Sequence, residues 1–238
     1  MRWQIRIEGD KAALEYLASI FTGEPLVIER QEGGYLLSAA GWDSLQNVFD
    51  VYAASADVVG RLNGAALAGT GMLSPIVTTV VYETQADGTK HMWDYGGRVP
   101  IRLPPPDVTK ADGSRDPTKL LYQASLADNA LARALRVLAI GFPDWVTLYR
   151  LYEIIKEDMG GESGIIEQGW ITRGDLRRFR HSANSPSVAG PHARHGVDGG
   201  AKPPKAPMSL ADAQVVFGRM FESWAAMKIP ALSMRGRE

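Results

Sequence analysis

Residues 96–119, GGRVPIRLPPPDVTKADGSRDPTK, separate two stretches of different periodicity and decide how the chain is read. Pro100, Pro104, Pro105, Pro106 and Pro117, with Asp112-Gly113, sustain neither a helix interior nor a central strand. The segment therefore reads as a crossover or linker. It is the expected boundary between a first part, 1–95, and a second part, 120–238.

Before the linker the apolar period is two. Trp3, Ile5 and Ile7 alternate with Gln4, Arg6 and Glu8, marking a strand with one buried face. Asp10 is placed to cap a short helix carrying Leu14, Leu17 and Ile20. Pro25 to Arg30 and Tyr35 to Ala39 read as strands joined at Glu32-Gly33-Gly34. A longer helix is expected after Asp43 or Ser44, with Leu45, Val48, Phe49, Tyr52, Val59 and Leu62 on its apolar side. Ile76 to Glu83 is β-branched, turns at Asp87-Gly88 and returns through His91-Met92-Trp93. The expectation is a small, mainly antiparallel sheet with two helices on one face.

After the linker the period is 3.6. Ser125 is the expected cap of a helix bearing Leu131, Leu135 and Leu138. A second follows Pro143, with Trp145, Leu148, Leu151, Tyr152 and Ile155, and ends at Gly160-Gly161. Thr172 with Asp175, and Ser209 with Asp212, are capping-box spacings for two more. The last of these carries Ala213, Val216, Phe217, Met220, Phe221, Trp224 and Met227. Four helices suggest a bundle, so the fold class is α+β: a small mainly antiparallel sheet with two helices, then a mostly α-helical bundle. Between the last two helices lies a long Pro/Gly-rich loop, 182–208, of a kind that is usually functional or disordered.

Composition narrows the function classes. The 26 Lys and Arg against 27 Asp and Glu leave a formal net charge of −1, so no global basic field recruits nucleic acid. With no cysteine, disulfides, thiolate zinc sites and cysteine nucleophiles are excluded. The N-terminal residues read as a strand and no apolar run reaches bilayer length, so no membrane association is expected and a cytoplasmic location is.

Charge is concentrated in one place. Three of the four histidines and five arginines lie between Arg173 and His195, in RGDLRRFRHSANSPSVAGPHARH. Asp175 and Asp198 are the only acids from there to Lys205, so the segment is locally basic. Helical spacing brings Arg173, Arg177 and Arg180 together, with His181 beside them and His192, Arg194 and His195 following in the loop. Guanidinium and imidazole in that density suit phosphate binding and, in principle, acid–base work on RNA. The competing readings are a solvated helix face, or side chains that fix a proline-rich loop through backbone carbonyls.

Other constellations read as structure. His192-x-x-His195-x-x-Asp198 has zinc-ligand types, but no helix holds them on one face, so no metal is expected. Gly64 to Gly71 lacks the Lys-Ser/Thr of a phosphate loop and follows a helix, as a helix terminus would. Glu153, Glu157 and Asp158, with Lys156 among them, form a wet face. No cofactor is expected. Part of the Phe217 to Met227 stripe is a candidate homodimer seam.

From Phe179 onward, RFRHSANSPSVAGPHARHG and PPKAPMSLADAQVVFGRMFESWA resemble the C-terminal module of uncharacterised bacterial proteins. The order of basic helix, His-Gly loop and capped amphipathic helix more remotely resembles HEPN domains, helical bundles many of which are metal-independent RNases of toxin or phage-defence systems. That resemblance implies Arg180, Asn184 and His195 as the corresponding catalytic group, joined through an inserted loop. The expected function is a binding or regulatory protein engaging an anionic ligand or RNA. A HEPN-type RNase and a structural or dimerisation module are the alternatives.

Overall fold

The first strand shows how the sheet is built. In the computed structural model, which describes residues 2–31, 33–71, 76–94, 116–140, 144–190, 193–194 and 205–229, strand β1 runs Trp3–Glu8 and buries Trp3, Ile5 and Ile7 almost completely. Each such side chain contributes roughly 1.5–3 kcal/mol when withdrawn from water. The other strands are β2 (Thr22–Gly23), β3 (Leu26–Gln31), β4 (Gly34–Ala39), β5 (Val77–Thr84) and β6 (Lys90–Asp94). All strand pairs are antiparallel, and the six-stranded sheet has the order β2-β3-β4-β1-β5-β6.

Chain contacts divide into two units, 1–126 and 127–238. In the first, helix α1 (Lys11–Ile20) starts at Asp10, whose carboxylate accepts from the backbone N–H of Ala12 and Ala13. Helix α2 (Val48–Thr70) is capped by Asn47, not by Asp43 or Ser44. Those two lie in a 3₁₀ turn, where Asp43 instead accepts from the backbone N–H of Arg2 at 2.7 Å. With the start moved, α2 buries Val51, Ser55, Val58, Val59 and Leu62, and Phe49 and Tyr52 are exposed rather than part of the apolar side. Asn63 of α2 exchanges two hydrogen bonds with the backbone of Ile76, which fixes the entry to β5.

Helix α3 (Pro117–Ala124) belongs to this first unit and packs along α2, so three helices, not two, accompany the sheet. The first-unit boundary therefore falls after α3, later than the linker suggested. The N-cap of α3, Asp116, is buried yet fully paired. It accepts from the N–H of Thr118 and Lys119, and the Tyr16 hydroxyl of α1 lies 2.8 Å from both carboxylate oxygens. Tyr122 of α3 sits edge-on to Phe21, and burial pushes its phenol up to about 12. Most of the linker, residues 95–115, lies outside the described residues.

The second unit comprises α4 (Asn129–Leu138), α5 (Trp145–Asp158), α6 (Glu162–Glu167), α7 (Arg173–Ala183), α8 (Pro186–Ala189) and α9 (Leu210–Lys228). That is six helices among the described residues where four were expected; α6 and α8 are short. Asp128, not Ser125, caps α4 by accepting from the Leu131 N–H; Ser125 closes α3. Thr172 and Ser209 cap α7 and α9 as expected, accepting from the backbone N–H of Asp175 and Asp212, but no return bond from either aspartate to the cap backbone N–H is seen, so each box is half formed. Within the expected loop 182–208, the described residues include the end of α7 at Ala183 and the helical turn α8; residues 191–192 and 195–204 lie outside the described residues.

At the far end of α9, Lys228 donates to Asp128 at 2.6 Å and lies 2.9 Å from Asp158, whose carboxylate also accepts from the Trp224 indole. Burial alone would lower the Lys228 pKa, but the two carboxylates hold it above its ordinary value. This ties the last helix to α4 and α5. Among the described residues no helix is long and apolar enough to cross a membrane.

Gly69 marks the closest approach of α2 and α3: a Cβ there would lie 2.7 Å from the backbone N of Thr118. Overpacking of this kind costs about 1–3 kcal/mol, more than the up to ~1 kcal/mol of helix propensity that alanine adds. Gly69→Ala is therefore expected to lower the urea midpoint of unfolding. Gly218→Ala, in open space on α9, is expected to leave it unchanged or raise it.

Candidate functional site

The basic segment forms helix α7, and its apolar positions decide which way the arginines point. Leu176, Phe179, Ser182 and Ala183 are buried. Phe179 stands 4.1 Å from Phe217 of α9 by ring centroid, is stacked on Tyr149 of α5, and also meets Tyr152 and Trp145. With that side fixed, the 3.6-residue period carries Arg173, Arg177, Arg180 and His181 to the opposite, exposed face. This is the grouping that the spacing predicted.

The arginines differ in what they are bound to. Arg180 donates to Glu162 at 2.5 Å, and the same carboxylate oxygen accepts from the Tyr152 hydroxyl at 2.6 Å. Burial works against the Arg180 charge, but Glu162, Tyr152 and Tyr149 raise its pKa further above the ordinary guanidinium value. Tyr152 is likewise raised, first by burial and then by Glu162. Arg178 turns aside to the loop, donating to the carbonyls of Ala206 and Pro207 and to Asp175. It does what the loop-fixing reading proposed for this class of side chain.

Arg194 is pinned three ways. Its backbone N–H donates to the Ala183 carbonyl at 2.9 Å, its guanidinium donates to Glu153 at 3.1 Å, and that group lies 4.2 Å above the Tyr149 ring. A cation over an aromatic face adds about 0.5–1 kcal/mol at a partly exposed site. Ser182 of α7 accepts from the Met208 N–H at 2.8 Å, which returns the chain to the start of α9. Asn184 closes α7, and its side-chain oxygen is buried without a hydrogen-bond partner.

Arg173 and Arg177 stand apart from these. Both are exposed, one turn from each other, and neither has an acidic partner among the described residues. His192 and His195, with Asp198, lie outside the described residues, so the His195 of the Arg180/Asn184/His195 grouping is not placed. Glu153 and Glu162 are the site residues that sequence reading missed. Nothing in the local sequence pairs them with Arg194 and Arg180, which are 41 and 18 positions away.

The remaining candidates resolve into scaffold. Glu153, Glu157 and Asp158 are bound to three different cations, Arg194, Arg133 and Lys228. No group of three metal-ligating side chains occurs among the described residues. The Gly64 to Gly71 stretch is the last part of α2, ending at Gly71 in a left-handed conformation. In the α9 stripe, Phe217, Met220, Phe221 and Trp224 are core, whereas Met227 is exposed. Comparison with protein-family models, with curated proteins and with solved structures returns no match to the chain.

Because Phe179 is the contact that turns the basic face outward, Phe179→Ala is expected to destabilise the helical unit by about 3–5 kcal/mol. Chemical denaturation followed by circular dichroism at 222 nm measures this.

Proposed function

We propose that the outer face of α7 binds an anionic partner, and that the chain is a binding or regulatory protein whose basic segment does this work without chemistry of its own. The observation that carries the reading is the state of Arg173 and Arg177. Two guanidinium groups one turn apart repel by a few tenths of a kcal/mol. Arg173 is also the first residue of its helix, at the end where the helix dipole disfavours a cation. Asp175 offsets part of this, but its carboxylate is engaged by Thr172 and Arg178. A phosphate or carboxylate laid across Arg173 and Arg177 relieves both penalties and gains charge-assisted hydrogen bonds.

Division of labour along the segment supports the same reading. Arg178, Arg180 and Arg194 are consumed in holding the loop and helices together, while Arg173 and Arg177 remain for a partner. A polyanion such as single-stranded RNA suits a face of this kind, because backbone contacts need only cations at the right spacing.

The test is fluorescence anisotropy of a labelled single-stranded RNA oligonucleotide. Affinity is expected to fall linearly with the logarithm of salt concentration, and to drop about ten-fold or more in Arg173→Glu/Arg177→Glu with the circular dichroism spectrum unchanged. Unaltered binding by that double variant would refute the assignment of the face. Metal-independent cleavage of the oligonucleotide, lost in His195→Ala, would replace a binder with an RNase.

A further inference from the structure

Strand β6 closes one edge of the sheet, and among the described residues no strand pairs with its outer side. The opposite edge is β2, only two residues long, whereas β6 has five. The hairpin to β5 fixes which backbone groups point outward. Gln85 N–H donates to the Thr89 carbonyl at 2.8 Å, so hydrogen-bonded pairs recur at Glu83/His91 and Val81/Trp93. Thr84 N–H donates the other way, to the Arg2 carbonyl just before β1, in keeping with that phase. The N–H and C=O of Lys90, Met92 and Asp94 therefore face away from β5.

Side chains alternate with the same period. Trp93 turns toward Trp3, ring centroids 5.9 Å apart, and His91 meets Trp93 edge-on at 6.0 Å. Lys90 and Met92 lie on the other face, opposite Thr84 and Tyr82, and Met92 is 63% exposed. A lysine on an edge strand ordinarily discourages pairing. In β6 the sequence sets a base at one end, an acid at the other and an apolar residue midway.

We infer that β6 docks a second copy of this chain, the two strands pairing antiparallel about a twofold axis at Met92. Met92 then stands opposite Met92 of the second copy, and Lys90 opposite Asp94, in both directions by symmetry. These are the positions whose N–H and C=O point outward, so each of those groups gains a partner. His91 falls opposite Trp93 of the second copy, at a pair without backbone bonds. Charge selects this register, because centring the pair on Lys90 or on Asp94 would set like charges face to face. Lys90 is exposed, and its 3.3 Å bond to the Gln4 side-chain oxygen gives way to a carboxylate. Helix α2 packs on β5, so three strand spacings part it from its mate. That is roughly 14 Å, more than the ~10 Å width of a helix.

The test is sedimentation velocity on the whole chain. The mean mass is expected to climb from 25.9 kDa toward twice that value as concentration rises, between about 10 and about 500 µM for so small an interface. Lys90→Asp, which sets two acids opposite each other, is expected to move this transition at least ten-fold higher in concentration. The exchange Lys90→Asp/Asp94→Lys restores the opposite charges and is expected to bring the transition back. Met92→Pro removes an N–H that only the dimer uses and is expected to leave a folded monomer, with circular dichroism reporting the fold. A wild-type chain that stays at 25.9 kDa throughout overturns the inference whatever the variants do. So does a dimer that Lys90→Asp and Met92→Pro leave intact, or one that the charge exchange fails to restore.

Discussion

Packing of Phe179 against Phe217, Tyr149 and Tyr152 is the constraint on which the helical unit depends. It gives α7 one buried side, and an α-helix of that length then has no freedom in where its arginines go. The same contact brings Tyr152 and Tyr149 close enough to the arginine-rich segment to take part in its chemistry. Tyr152 shares Glu162 with Arg180, and Tyr149 lies under Arg194. An aromatic core and a basic surface are thus two sides of one arrangement. That is why the charges neither scatter nor collapse onto the acids of α5 indiscriminately.

In the sheet unit the corresponding constraint is coverage of one face only. Tyr16, Asp116 and Thr118 tie α1 to α3 through hydrogen bonds that leave the buried carboxylate satisfied, and α3 lies against α2 at Gly69. Helix α1 packs on β3 and α2 on β5, while α3 lies against α2. The opposite face keeps polar and charged side chains, and there Arg6 and Lys90 are held by a carbonyl and an amide oxygen. Antiparallel sheets tolerate such a wet face.

Features written in a few neighbouring residues were legible in the sequence. The alternation of β1, the Asp10 cap, the Thr172 and Ser209 caps and the β5–β6 turn all rest on patterns within four or five positions. Where two cap residues competed, tertiary contacts chose. Asp43 was drawn away by the backbone of Arg2, so α2 began at Asn47 and its phase shifted, which put Phe49 and Tyr52 in solvent. Ser125 donates to the Tyr122 carbonyl at the end of α3, leaving Asp128 to start α4. The grouping of Arg173, Arg177 and Arg180 followed from helical spacing. Which of the arginines would be neutralised did not, because Glu162 and Glu153 reach them only through the packing of α5, α6 and α7.

The account rests on a division between structural and uncommitted arginines, and stability measurements on single alanine variants test it most directly. Arginine and alanine differ little in helix propensity, so changes in Tm report lost contacts. Arg178→Ala, Arg180→Ala and Arg194→Ala should each lower Tm by about 1–4 °C, the range expected for exposed ion pairs and loop contacts in a chain of this size. Arg173→Ala and Arg177→Ala should leave Tm unchanged or raise it. A loss at Arg173 and Arg177 as large as that at the other three would make them scaffold as well, and would contradict the account.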